Sequence, residues 1–549
     1  MKNKGASTKI NGLVRNGLFR ILFIALLFVI AMACTPIVRA AGVVSSCDET
    51  SLLSAISGGG TVTFTCSGTI TLTATITFSS NTTVDGAGQN VILSAVFPPT
   101  PLSEPDFFVS AGVSLELKNV TIHGFNGAIY NNSGIGTITN YGTLTVTSCT
   151  FDHNSEITGG AIANYGTLIV TNSTFANNHA FLGAGIYNAA QATLAVTRSN
   201  FYSNGDSSTH GGGIYNSSQS TSTVSNSTFD FNYSSYGGGI FNAGGTLNVA
   251  NSTYFENVAY FGGSGIANLG TGTMTVTNST FDLNFGSSIN SGSMTLTLRN
   301  TIVANTLGGF NCPGSFSIDG GGNLDTDGTC VGTISPDPLL GPLQNNGGPT
   351  PTMAISMASP AFGGANPANC PLTDQRGVLR PQFQACDIGA FEFDTANSLL
   401  TAVRNEIIAL LPTGNRHDQS LLNAAASGLS AALNSRNWQG SDGNHLNPSR
   451  GEDVFEELRE NVAPNLTRLL VPSPPSAIPA ETSRTLLDNV TLAGHTLAAV
   501  AIGDAAGGNP TKLALANASL AKGDSDAVAG NAALALADYQ FAWELVVED

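Results

Sequence analysis

Residues 143–188 read TLTVTSCTFDHNSEITGGAIANYGTLIVTNSTFANNHAFLGAGIYN, and this stretch contains one pattern almost twice. Phe151 and Phe175 stand 24 residues apart, with Val146 and Val170 five residues before them and Asn154 and Asn178 three residues after. A Gly-rich corner then leads into Ile162 or Ile186, and Asn164 or Asn188 follows two residues later. TLTVTSCTF, residues 143–151, alternates apolar and polar side chains. That is the period of a half-buried strand. No helical stripe interrupts it.

The pattern continues outward in both directions. Aromatic residues recur at Phe201, Phe229, Tyr254 and Phe281, with further gaps of 26, 28, 25 and 27 residues. Val196, Val224, Val249 and Val276 precede them, and Asn204, Asn232, Asn257 and Asn284 follow. The corner Ile recurs at Ile138, Ile214, Ile240, Ile266 and Ile289, and its Asn at Asn140, Asn216, Asn242 and Asn268. Self-similarity at this period predicts a solenoid. A unit of about 26 residues with three short strands closes one turn of a parallel β-helix. Turns stacked ~4.8 Å apart place like residues above one another. The aromatic residues are therefore expected in one interior file, and the two sets of Asn in amide ladders at the corners. Parallel crossovers are overwhelmingly right-handed, so the coil is expected to be right-handed.

The motif Gly-Gly-Ala/Gly-Ile at 159–162, 211–214 and 237–240, followed by FxxN, resembles the repeat of the polymorphic outer membrane proteins. That family sits among the right-handed, pectin-lyase-like β-helices, and the resemblance covers residues 115–305. DETSLLSAI, residues 48–56, reads as an amphipathic helix capping the exposed first turn. VTFTC, ITLTATITF and TTVDGAGQNVIL follow as opening strands.

Residues 306–395 lose the ladder. GGNLDTDGTC (321–330), TDQRGVLRP (373–381) and CDIGAFEF (386–393) resemble the end of the choice-of-anchor Q domain, a bacterial surface module. Arg376 is expected to fork onto Asp387 or Glu392 and pin the last coil. From residue 396 the composition turns to Ala/Leu-rich helix, divided by the Pro-rich stretch 471–479 and, near the end, by Gly523-Asp524. Trp438 with Gly443-Asn444-His445-Leu446, and Tyr539 with Ala542-Trp543, resemble a helical tail found after repeats in secreted bacterial proteins. That resemblance implies no activity. The expected organisation is a signal peptide (1–40), a right-handed parallel β-helix (41–305), C-terminal coils and cap (306–395), and a small α-helical domain (396–549).

The first segment carries Lys2, Lys4, Lys9, Arg15, Arg20 and Arg39, no acidic residue, and the apolar run ILFIALLFVIAMAC at 21–34. Val38-Arg39-Ala40 offers a cleavage site, so a secreted or surface-displayed bacterial chain is expected, with no later membrane span. Removing those six positive charges takes the formal charge from −17 to −23. A chain this acidic does not hold nucleic acid through charge. Cys47/Cys66, Cys312/Cys330 and Cys370/Cys386 are close in sequence and are expected as disulfides in an oxidising compartment. Cys149 falls in a column that holds Ser173, Ser227, Ser252 and Ser279 elsewhere, which reads as a small buried filler.

The same fold serves polysaccharide lyases and glycoside hydrolases. A lyase for uronic-acid polymers needs Ca²⁺ carboxylates, a base and positive charge. Between residues 41 and 300 only Lys118, Arg198 and Arg299 are basic against twelve acidic residues, which repels such a polymer. A hydrolase needs two carboxylates roughly 5 to 9.5 Å apart. Asp152, Asp230 and Asp282 each follow the repeat aromatic, but the turns between carry Ala176, Tyr202 and Phe255. His153, His179 and His210 show no metal-ligand spacing. Asn323-Leu324-Asp325-Thr326-Asp327-Gly328 resembles the first half of a Ca²⁺ loop, though its twelfth position is Ile334 rather than Glu. Asn323, Asp325 and Asp327 thus form either an Asx-rich turn or a Ca²⁺ site; no other cofactor is expected. The preferred function is a non-catalytic β-helix that contacts an extracellular polysaccharide or a cell-surface partner through its long face. The alternative is a carbohydrate-active enzyme.

Overall fold

The computed structural model describes residues 42–95, 107–125, 136–292, 295–313, 316–383, 385–412, 415–440, 442–471 and 475–547. The charged and apolar leader at 1–40 lies outside them. Among the described residues, three parallel sheets of 12, 11 and 9 strands run the length of a solenoid. A regular rung gives a five-residue strand to the first sheet, a short strand to the second and a short strand to the third, as in Thr143–Thr147, Thr150–Asp152 and Ile162–Asn164.

Register follows the repeat without slippage. Phe151 pairs with Phe175, Phe175 with Phe201, Phe201 with Phe229, Phe229 with Tyr254, and Tyr254 with Phe281. All six rings are fully buried. Their centroids are 4.8, 4.8, 4.6, 4.9 and 4.4 Å apart and their planes lie within 6°. The single interior file expected from the spacing is therefore present. The rung spacing sets a distance at which rings can stack, so the backbone ladder and the aromatic contacts reinforce each other.

Both Asn columns form ladders. From Asn154 to Asn284, each Nδ2 donates to the next Oδ1 at 2.9, 3.0, 2.9, 2.9 and 3.1 Å. Each Oδ1 also accepts the backbone N–H of the preceding ladder Asn, as Asn178 does from Asn154. The second N–H of Nδ2 goes to a main-chain carbonyl, as from Asn204 to Phe175. A buried amide with every group satisfied can sit inside a core at little cost. The column from Asn140 to Asn268 also links Nδ2 to the next Oδ1, with steps of 2.8, 2.7, 2.9, 2.7 and 2.6 Å, and ends on Asn268 Nδ2, which is buried without a partner. At the corner before it, Gly159 has φ +66, and a Cβ there would lie 2.4 Å from the Ile162 carbonyl oxygen, so only Gly fits.

Helix α1, Glu49–Ile56, covers the first rung. Asp48 caps it by accepting the Ser51 N–H, and the Glu49 carboxylate accepts the Thr73 N–H at 2.7 Å. The Cys47–Cys66 disulfide ties the same region together. At the other end, strands Phe316–Asp319 and Leu324–Asp325 still pair in register with the solenoid. The Cys312–Cys330 and Cys370–Cys386 bridges also form.

The chain then does not simply close the last coil. Residues 350–383 and 385–390 lie along the outside of the second sheet as a strap. Thr228 donates to the Pro351 carbonyl, Thr253 to Gln375 Oε1, and Asn251 to the Thr373 carbonyl. The Ala390 N–H donates to Thr280, one rung further on. Arg376 does not reach the carboxylate of Asp387 or Glu392. Its guanidinium pairs with Asp374 at 2.8 Å and Asp394 at 2.6 Å, donates to the Glu392 main-chain carbonyl, and lies 3.7 Å over the Phe391 ring. Arg380 takes the Glu392 carboxylate instead, at 2.8 Å. Both arginines lock the strap onto itself; they do not cap the coil.

The C-terminal bundle comprises α2 (Ala396–Leu410), α3 (Arg416–Ala432), α4 (Gly451–Glu456), α5 (Ala463–Arg468), α6 (Ala480–Asp504), α7 (Pro510–Val528) and α8 (Ala532–Val547). Helix α6 is long and apolar enough to cross a membrane by composition, but Leu486, Val490, Ala493 and Leu497 are core residues here. Its Asn489 donates to the Gly377 carbonyl and joins bundle to strap. Gly523 does not break the last pair. A Cβ on it would lie 2.4 Å from Tyr539 Cε1, so Gly523 admits the Tyr539 ring between α7 and α8. The break falls at Gly530, with φ +79.

Candidate functional site

The outward positions of the third sheet carry a second aromatic file. Ile186 and Asn188 point inward and are fully buried, so strand alternation sends Tyr187 outward. Tyr215 pairs in register with Tyr187, and Phe241 with Tyr215. In the earlier rungs the ring comes from Tyr141 and Tyr165, one residue past the ladder Asn, and from Phe108 in the rung before. Phe108, Tyr141, Tyr165, Tyr187, Tyr215 and Phe241 thus supply one ring per rung. Successive centroids are 5.4, 4.9, 6.0, 5.4 and 5.2 Å apart.

The ribbon widens at its far end. His210 lies 5.7 Å from Phe241 and 5.5 Å from Phe181, and Tyr236 lies 5.3 Å from Phe261. Phe181 and Phe261 are 54% and 66% exposed, whereas the six rings of the interior file are sealed. Burial, and then the neighbouring phenols Tyr187 and Tyr141, push the Tyr165 hydroxyl up to about 12, so it stays a neutral donor. A contiguous, partly exposed aromatic strip marks an interaction surface.

Among the described residues, no comparable constellation supports catalysis. Asp230 and Asp282, each two residues past a Thr that bonds the strap, are 6% and 3% exposed. Desolvation pushes their carboxyls up to about 7 and about 6. A substrate has no access to them. Thr61, Asn81, Thr83, Ser114, Glu116 and Thr145 line a shallow groove of about 410 Å³ on the first sheet. It holds one carboxylate, Glu116, already paired with Lys118 at 2.7 Å. Two carboxylates beside a base, as glycosidic cleavage requires, do not meet there.

Asn323, Asp325 and Asp327 are engaged in the hydrogen bonds of their own turn and of the neighbouring rung. Asn323 turns away: its Oδ1 accepts the Thr301 N–H and its Nδ2 donates to Asp319. Asp325 accepts from Asn311 Nδ2 and from the Cys330 and Val331 N–H groups. Asp327 accepts from the Asn311 and Thr329 N–H groups. The carboxylate oxygens serve the turn that carries the Cys312–Cys330 bridge, as in an Asx turn. Cys149 is buried in the Ser column, where its N–H donates to Ser173 Oγ, and burial pushes its thiol up to about 11.

A family model described as a right handed beta helix region matches residues 106–281, which span the regular rungs and the whole ribbon. No curated protein sequence matches the chain.

Proposed function

We propose that this is a secreted or cell-surface β-helix protein that binds a neutral polysaccharide lengthwise along its third sheet, without cleaving it. One observation carries the reading: the unbroken file of one outward ring per rung, partly exposed from Phe108 to Tyr215 and ending on the buried Phe241. Sugar rings present apolar C–H faces that pack on aromatic faces, and a polymer repeats as the rungs do. Weak contacts at each rung then add along one chain. The scarcity of basic side chains in the solenoid favours an uncharged glycan over a polyanion. Three disulfides suit an oxidising, extracellular compartment. The resemblance of 321–393 to a choice-of-anchor Q module supports surface display.

The test is a glycan array with the mature chain, scored for retention and for newly formed reducing or unsaturated ends. Neutral polymers should be retained with no new ends. Replacing Tyr187 and Tyr215 together by Ala should weaken retention about ten-fold or more. Retention unchanged in that double variant refutes the ribbon as the binding face, and new chain ends refute the non-catalytic reading.

A further inference from the structure

His123 and Asp152 belong to successive rungs and pair in register on the outer face of the second sheet. Asp152 Oδ2 lies 3.1 Å from His123 Nδ1, and Asp152 Oδ1 lies 2.8 Å from Nδ1 of the next residue, His153. Consecutive strand residues ordinarily point to opposite faces. His153 escapes that rule because its φ is +56, which turns its imidazole back to the side of Asp152. The ligand atoms of all three side chains lie within 4.8 Å of one another. The three residues are spread over two rungs, so no chain-spacing motif announces them.

We propose that His123, Asp152 and His153 form a surface site for a late divalent transition metal, Zn²⁺ in the first instance. Two imidazoles and one carboxylate are a donor set that such ions take up, with water completing the tetrahedron. Hard cations such as Ca²⁺ prefer all-oxygen sites, so they are poor occupants. The backbone under the site is held on both sides: Gly124 donates to the Asp152 carbonyl and His153 to the Ala176 carbonyl. Asn177 donates to Asp152 Oδ1 at 3.1 Å and orients the carboxylate from the next rung. Burial works to raise the Asp152 carboxyl, but bonds from Asn177 and the two imidazoles hold it below its usual range, as an ionised ligand requires. Side-chain exposures of 46% and 61% for the two histidines leave room for metal entry and for a bound water. The next position in the column is Ala176, so the protein supplies three ligands and the remaining position faces solvent.

The test uses the full-length, disulfide-bonded protein after chelator treatment. Titration with Co²⁺ should give visible absorption that saturates at one ion per chain and is abolished by added Zn²⁺. His123→Ala, His153→Ala and Asp152→Asn should each weaken Co²⁺ binding by about ten-fold or more, because loss of a ligand exceeds loss of an outer-shell contact. His179→Ala, which removes the imidazole facing Asp206 at 2.9 Å, should leave it unchanged. Should any variant misfold, the wild-type chain still decides: Zn²⁺ should protect His123 and His153, but not the exposed His417, from diethylpyrocarbonate. Absence of Co²⁺ binding, binding unaltered when both histidines are replaced, or absence of that protection would overturn the site.

Discussion

Tyr254 stacks on Phe281 with centroids 4.4 Å apart and planes within 2° of parallel, the closest pair in the interior file. Every other ring in that file is Phe. The Tyr254 hydroxyl is fully buried and has no hydrogen-bond partner. A buried polar group left unpaired costs about 1–3 kcal/mol. Tyr254→Phe keeps the stack and removes the orphan, so it should stabilise the protein by about that amount in urea melts. A loss of stability would mean that the hydroxyl has a partner in solution.

Asn204 stands mid-ladder. Its Nδ2 donates to the Phe175 carbonyl and to Asn232, and its Oδ1 accepts the Asn178 N–H and Nδ2. Asn204→Ala strands several of those groups in a dry core at about 1–3 kcal/mol each. The expected loss is about 3 kcal/mol or more by denaturant unfolding. Asn177→Ala, one column outward, should cost far less, since its side chain makes a solvent-exposed bond to Asp152. Equal losses would refute the ladder as a main source of cohesion.

The interior file was legible because Phe151 and its successors recur in one phase, and stacking by period needs nothing beyond the chain. The ribbon was not, because its rings change phase. Tyr141 and Tyr165 follow the ladder Asn, whereas Tyr187 and Tyr215 precede theirs, so spacing alone does not align them. The strap was hidden for a different reason. Residues 350–390 have no period, and their partners Thr228, Thr253 and Thr280 lie more than 100 residues away. Gly523 misled because its neighbour in space, Tyr539, is decided by helix packing rather than by local propensity.

Cys149 tests the Ser column. Its Sγ donates to the Thr147 carbonyl at 3.4 Å, as Ser173 Oγ does to Thr171 at 2.9 Å. Cys149→Ser should therefore leave the melting temperature within a few degrees of wild type. In a chain without residues 1–40, and so without Cys34, a thiol 2% exposed and pushed up to about 11 should not react with Ellman's reagent at pH 8 until the chain unfolds, when one thiol per chain appears. Fast reaction of the native chain would contradict this placement.

Asp230 makes stability depend on pH in a direction opposite to a paired carboxylate. Its Oδ1 is buried without a partner, and desolvation pushes its carboxyl up to about 7 from an ordinary value of 3.8. Between these values the folded chain keeps a proton that the unfolded chain has released. Its contribution therefore falls as pH rises through that window and is flat on either side. A shift of this size amounts to at most about 4 kcal/mol above pH 7. Other carboxylates, such as Glu49, are held below their usual range and pull the other way, so the difference between wild type and Asp230→Asn isolates the effect. The two should unfold alike near pH 4, and the variant should be the more stable at pH 8. A gap that stays constant from pH 4 to 8 would show that Asp230 is solvated.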